Sequence, residues 1–269
     1  MYIPPLLVAV ILGLVEGATE FLPVSSTGHL IVVGEMLDFT GERAATFEVV
    51  IQLGAILAVV WHYRRTLWEL AFGWLRPGGE RRMVGNLLLA FLPAALIGLA
   101  AHDFIKSVLF NPIVVAWALI IGGFVMLALE WRRPVVRAAV LGEVTWQQSL
   151  AIGFAQVLAM IPGTSRAATT ILGGYAVGLS RPAATEFSFL LAIPTIVGAA
   201  VLDLAKSGDL LGPADAPMFG VGLVVAFVSA LMVIRGFLRF VESHSFRAFA
   251  WYRIAFGAVL LALLGAGWL

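Results

Sequence analysis

The chain has 269 residues, of which 61% are hydrophobic and 12% charged, with a net charge of +1. Soluble domains carry about 25% charged residues, so a soluble fold is excluded and the recurring apolar runs read as a polytopic helical membrane protein. With no cysteine, disulfides and thiolate metal sites are excluded as well.

The N-terminus lacks a basic n-region and a credible cleavage site, so residues 1–15 are read as mature protein. Residues 2–15 are apolar but too short to cross a ~30 Å hydrocarbon core, which takes about 20 residues. They run into GLVEGATEFLPVSSTGHL at 13–30, the most polar stretch to interrupt an apolar run. Glu16 and Glu20 are four apart and share one helical face. Pro23 removes a backbone donor and ends that helix. Ser25, Ser26, Thr27, Gly28 and His29 follow, and 27–37 reads as the returning limb of a re-entrant hairpin. Such a break at membrane depth is tolerated only where it is buried in protein or lines a cavity.

Residues 46–63 are a span interrupted by Glu48 and Gln52, and Arg64–Arg82 is read as an arginine-rich loop. Spans at 84–101 and 111–129 follow, joined by a short turn at 102–111. A second short apolar helix, 148–161, breaks at Pro162-Gly163. Thr164, Ser165 and Arg166 come next, then a second short limb at 167–179. Residues 185–204, 218–234 and 248–267 are the last three spans, with an Asp/Gly/Pro turn at 207–217. The eight tryptophans read as lipid-facing and interfacial.

A shift of 139 carries Pro23 onto Pro162, Ser26 onto Ser165 and Thr46 onto Thr185; Gly13-x-x-Glu16 resembles Gly153-x-x-Gln156 one residue out of register. The expected fold is therefore all-α: a single membrane domain, 1–269, of two inverted-topology repeats (about 1–129 and 146–269). Each repeat is a re-entrant broken-helix hairpin plus three transmembrane helices. Three spans per half invert one half relative to the other, and paired broken segments point to the site. Segments 64–82, 130–147, 180–184 and 235–247 hold 12 of the 17 basic residues, which places them in the cytoplasm. Arg43, Lys106 and Lys206 then lie outside with both termini; the first hairpin opens outward and the second to the cytoplasm.

Acids at membrane depth are functional candidates by default. Glu16 and Glu20 suit a hard divalent cation, Mg²⁺ or Ca²⁺, whose shell phosphate oxygens and water complete; a proton relay is the other option. Ser25–Gly28 can bind phosphate through hydroxyls and amides at a helix N-terminus, with Ser26 a potential nucleophile. His29 is a candidate base or nucleophile. Arg166, next to Ser165, reads as a bidentate phosphate clamp, with ion pairing to Glu16, Glu20 or Glu48 as the structural alternative. Glu48 and Gln52 are expected behind the ligating groups, and Glu186 is read as structural.

EGATEFLPVSSTGHL and PGTSR, with FEVVIQLGAILAVV and TEFSFLLAIP, closely resemble the bacterial undecaprenyl-diphosphate phosphatases of the bacitracin-resistance type, over essentially the whole chain. The resemblance places the family's acidic motif on Glu16 and Glu20, its serine and histidine on Ser26 and His29, and its arginine on Arg166. The family's second motif usually continues Ser-Gly; here it reads Ala167-Ala168, with Thr170 expected to supply a hydroxyl one turn on. The resemblance implies dephosphorylation of a C55 polyprenyl diphosphate, recycling the lipid carrier of peptidoglycan synthesis and conferring bacitracin resistance. It implies a multi-pass enzyme of the bacterial inner membrane with its site open to the periplasm. Expected partners are the lipid substrate and membrane lipids, without nucleic acid and with a homodimer left open. Ser26, His29 or water remain open as the attacking group. The rival reading is a polyprenyl-phosphate flippase or ion-coupled transporter, because paired broken helices are also transporter architecture.

Overall fold

The computed structural model describes residues 3–75, 77–104, 111–207, 212 and 215–267. The first half of the chain holds α1 (Pro5–Thr19), α2 (Ser26–Met36), α3 (Glu42–His62), α4 (Arg64–Gly73), α5 (Gly79–Phe104) and α6 (Pro112–Arg132). The second holds α7 (Trp146–Val157), α8 (Arg166–Ala176), α9 (Arg181–Ser207), α10 (Ala216–Ser243) and α11 (Arg247–Gly265). Among the described residues there is no strand, only an isolated bridge between Ala138 and Leu179. Six helices, α3, α5, α6, α9, α10 and α11, are long and apolar enough to cross a membrane. They coincide with the six expected spans. The connection around Lys106 and most of the turn at 207–217 lie outside the described residues.

Local chemistry explains several boundaries. Asn111 Oδ1 accepts the Ile113 N–H at 2.8 Å and Pro112 opens α6, where a missing donor costs nothing. Thr145 and Gln148 cap α7 reciprocally, each side chain accepting the other's backbone N–H. One segment differs from expectation. Arg64–Arg82 is not simply a loop, because its first ten residues form α4. Trp68 and Phe72 are exposed on α4, 4.4 Å apart by ring centroids, while Leu70 is buried. Arginines beside exposed aromatic rings are the make-up of a helix lying in the membrane interface.

Helix pairing positions everything else. α1 packs on α10, α7 on α5, α6 on α11 and α3 on both α9 and α10. The α1–α10 approach is set by small residues: a Cβ added at Gly17 would lie 1.9 Å from Ser229 Oγ and 2.5 Å from the Ala226 carbonyl oxygen. Glycine is the residue that permits this backbone contact. It holds the last turn of α1, with Glu16 and Glu20, against the body of the protein. Phe21, Phe187, Phe189, Phe237 and Ile152 lie in the largest apolar cluster. The seven described tryptophans are all exposed.

Candidate active site

The two broken segments share one unusual backbone feature. Ser25, just before α2, has φ 72° and ψ 97°; Ser165, just before α8, has φ 71° and ψ 118°. A non-glycine residue held there costs on the order of 1–3 kcal/mol, and such strain clusters at functional sites. The two serines stand 140 residues apart, one more than the shift of 139 that carries Pro23 onto Pro162. At a shift of 140 Gly13 falls on Gly153, Glu16 on Gln156 and Ser26 on Arg166, and the prolines are the pair out of register.

Ser26 and Arg166 are thus each the first residue of a short helix, and Glu20 joins them. Ser26 Oγ donates to Glu20 Oε2 at 2.6 Å, and Arg166 Nη2 donates to Glu20 Oε1 at 3.0 Å. All three side chains are at least nine-tenths buried or close to it. Arg166 Nη1 also donates to the Ser188 carbonyl at 3.2 Å, and the guanidinium lies 5.7 Å from the Phe21 ring centroid. Arg166 Nε is buried with no hydrogen-bond partner, and so is Glu16 Oε1. Glu16 lies within electrostatic reach of Glu20, Glu48 and Arg166. A buried donor and a buried acceptor left open beside one ion pair are the vacancies that a phosphate oxygen and a cation would fill.

The other expected residues fall into three groups. Ser25, Thr27 and Gly28 form the start of α2, which has no side-chain cap. Its first-turn amides are therefore not spent on a capping oxygen. Gly28 itself faces α6, with Leu119 and Val115 carbons 3.4 Å from a Cβ placed there. Ser165 and Thr170 sit behind the clamp. Ser165 Oγ caps α8 by accepting the Ala168 N–H at 3.2 Å, and the Thr170 hydroxyl reaches the Arg166 carbonyl at 2.8 Å and Ser188 Oγ at 2.6 Å. Glu48 is half-buried on α3, one turn before Gln52.

His29 is turned away from Ser26. Its Nδ1 lies 2.7 Å from the Ser25 carbonyl, which can only accept, so Nδ1 carries the proton. Nε2 then accepts from the Tyr252 hydroxyl at 2.6 Å, and the ring stacks on Phe256 at 4.3 Å. Glu186 lies beside Tyr63. The Tyr63 hydroxyl is buried with no hydrogen-bond partner among the described residues.

Among the described residues no three His, Cys, Asp or Glu side chains are placed to share a metal ion. Glu16 has an uncommitted oxygen and Glu20 has both oxygens engaged. That donor set fits a hard cation whose remaining ligands come from phosphate and water.

Arg253 on α11 is the residue that sequence reasoning missed. It is fully buried and, among the described residues, bonds to no carboxylate. Its guanidinium donates to the carbonyls of Pro23 at 3.2 Å, Gly163 at 3.1 Å, Ala118 at 3.1 Å and Leu119 at 3.4 Å. One side chain therefore ties the first break to the second and both to α6. Gly122 leaves room for it, since a Cβ there would meet Arg253 Nη2 at 2.3 Å. An arginine inside an otherwise apolar span was the available signal.

Comparison with known proteins agrees with these motifs. The family described as "Bacitracin resistance protein BacA" matches residues 9–259. Undecaprenyl-diphosphatase 1 of Pseudomonas fluorescens (strain Pf0-1) is 56% identical over 260 residues, covering 97% of this chain and 94% of the relative. The undecaprenyl-diphosphatase of Pseudomonas putida (strain W619) is 54% identical over the same shares. Undecaprenyl-diphosphatase 1 of Stutzerimonas stutzeri (strain A1501) is 53% identical, covering 94% of this chain and 92% of the relative. With broken helices, acids, serine and arginine converging as described and the match running through nearly all of its length, the chain belongs to the bacitracin resistance protein BacA family.

Proposed function

We propose that this membrane protein hydrolyses undecaprenyl diphosphate to undecaprenyl phosphate and inorganic phosphate, the reaction named in its relatives, and so recycles the lipid carrier of peptidoglycan synthesis. The carrying observation is Glu20, which holds the Ser26 hydroxyl on one oxygen and the Arg166 guanidinium on the other. A nucleophile with an adjacent base, beside a cation suited to phosphoryl oxygens, is the equipment of phosphoryl transfer.

Ser26 Oγ attacks the terminal phosphorus and passes its proton to Glu20. The bond from that phosphorus to the bridging oxygen breaks, and undecaprenyl phosphate leaves with the electron pair. Water then attacks the phosphoserine; Ser26 recovers its proton from Glu20, and both hydrogens of the water leave on inorganic phosphate. Arg166, with its spare Nε–H, and the uncapped amides of α2 bind the equatorial oxygens, where charge is spread in the transition state. Glu16 and Glu20 would hold a divalent ion that neutralises the diphosphate and polarises its oxygens. His29, with both nitrogens committed, orients Tyr252 and the start of α2 rather than attacking.

Two inverted repeats remain our reading of the fold. It is supported by the matched strained serines and by the exchange of partners, α1 with α10 of the second half and α7 with α5 of the first. The arginine distribution favours an inner-membrane orientation with both termini and the first hairpin on the periplasmic side. A cysteine at Thr40 should be labelled by an impermeant thiol reagent in intact cells and one at Gly79 should not; the reverse pattern would invert the protein.

The deciding measurement is phosphate release from undecaprenyl diphosphate by the purified protein in detergent micelles. Wild type should turn over and Ser26→Ala should not. A protein that released no phosphate while moving polyprenyl phosphate across vesicles would be the transporter instead.

A further inference from the structure

One cavity lies away from Ser26. Its volume is about 580 Å³, and three separate elements converge on it. Glu130 and Arg133 come from the end of α6, Tyr175 and Arg181 from the α8–α9 turn, and His244 and Arg247 from the α10–α11 connection. Tyr175 is nine residues along α8 from Arg166, about 14 Å at 1.5 Å per residue. A group bound here cannot touch Ser26.

The charges do not cancel. Glu130 is buried and its carboxylate is fully engaged. Oε1 accepts from Arg181 Nε and from the Phe246 N–H, both at 2.9 Å, and Oε2 accepts from Arg181 Nη2 at 2.6 Å. That fork holds Arg181 in place at 5.1 Å from the Tyr175 ring centroid. Arg133 and Arg247 are exposed and make no ion pair among the described residues. Three arginines less one glutamate leave a surplus of two positive charges around one concave surface. Arg133 is also held at φ 47° and ψ 72° as the cap of α6, a position that glycine fills without strain. The backbone is bent left-handed there while still carrying a guanidinium into the cavity. Arginines that merely mark the cytoplasmic face need no shared cavity, no buried carboxylate and no strained residue.

We propose that this cavity is a second anion site, separate from the reaction centre, that takes a phosphate group through Arg133 and Arg247 with Arg181 as its fixed wall. The group is either free inorganic phosphate or the phosphate of an anionic phospholipid headgroup, since both present oxygens that a guanidinium fork accepts.

The test uses the full chain purified in a neutral detergent and two probes: inorganic phosphate, and a water-soluble short-chain phosphatidylglycerol with the matching phosphatidylcholine as control. Binding is measured for wild type, Arg133→Gln/Arg247→Gln, Arg247→Lys and Arg247→Glu. Hydrolysis, read in parallel, should stay near wild type in every variant. The double variant should lose about tenfold or more in affinity for one probe. Arg247→Lys, which keeps the charge and loses the fork, should bind more weakly than wild type, and Arg247→Glu should abolish binding. Loss for phosphate identifies the free ion; loss for phosphatidylglycerol alone identifies the lipid. Equal binding of both probes by wild type and by Arg247→Glu, which alters an exposed position and should fold, would overturn the site.

Discussion

The break between α1 and α2 and the break between α7 and α8 use one backbone plan for opposite chemistry. Each turns on a serine at φ 71° or 72° and then starts a short helix. The first has Glu16, Glu20 and Ser26; the equivalent positions of the second have Gln156, Met160 and Arg166. The first helix start is uncapped, whereas Ser165 closes the second with its own hydroxyl. Glu16 and Gln156 each leave one buried polar atom without a partner. Turning the Gln156 amide would let Nε2 donate to the Thr195 hydroxyl, which itself donates to the Leu191 carbonyl, and would move the open position to Oε1. One half therefore presents carboxylates and a hydroxyl and the other a guanidinium, and the proposed reaction on a diphosphate uses both.

Exchanging the character of the two halves should break the site in graded steps. The largest loss should come from Glu20, which serves both sides. Glu20→Gln should lower phosphate release by about 10²–10⁴-fold, the usual range for a general base, in protein that elutes normally from a sizing column. Retention of a tenth of the activity would take proton transfer away from Glu20.

Next is Arg166→Lys, which keeps the charge and loses the fork. Turnover should fall by about 10²–10³-fold, as for removal of one transition-state donor. Near-wild-type turnover would reduce Arg166 to a counter-ion of Glu20.

Glu16→Gln makes the first half resemble the second. Activity should fall on the order of 100-fold, as for loss of one charge-stabilising group. The apparent melting temperature should hold or rise, because a buried, unpaired carboxylate is removed. Excess chelator should abolish wild-type activity; full activity in chelator would remove the cation from the reading.

Arg253 belongs to neither half and holds both. Arg253→Met removes a donor from four carbonyls; those of Ala118 and Leu119 keep their helical N–H partners, while those of Pro23 and Gly163 in the breaks cost about 1–3 kcal/mol each if left without another donor. The apparent melting temperature should drop well below wild type, with Arg253→Lys intermediate. An unchanged value in Arg253→Met would mean that the breaks are held together without it. The smallest effect is expected from Gln156→Leu, which should stay within about threefold of wild type in activity, since surface-independent swaps that remove an unpaired polar group cost little. A large loss would bring Gln156 into the substrate site.

Much of this arrangement was legible in advance. The six spans and four short limbs follow from apolar run lengths, because hydrocarbon thickness sets them. Glu16, Glu20, Ser26 and Arg166 stood out because charge and hydroxyl clusters are costly within apolar sequence. The expected repeat is registered on Pro23 and Pro162, because prolines are visible in a sequence, whereas the positive φ of Ser25 and Ser165 is not. Helix α4 was hidden because arginines suggested a loop, while its exposed aromatic rings become an amphipathic face only once wound into a helix.

The amino-acid order alone determined the membrane class, the breaks and the set of candidate polar groups, since hydrophobic length and the cost of buried charge act locally along a chain. Only the tertiary structure decided which group serves which. Ser26 is paired with Glu20 and not with His29, because α11 brings Tyr252 to the histidine. Arg166 meets Glu20 across 146 residues, and Arg253 binds carbonyls of three segments distant in sequence. Those contacts depend on how the helices pack, and backbone carbonyls are offered by every residue alike, so no pattern of side chains announces them.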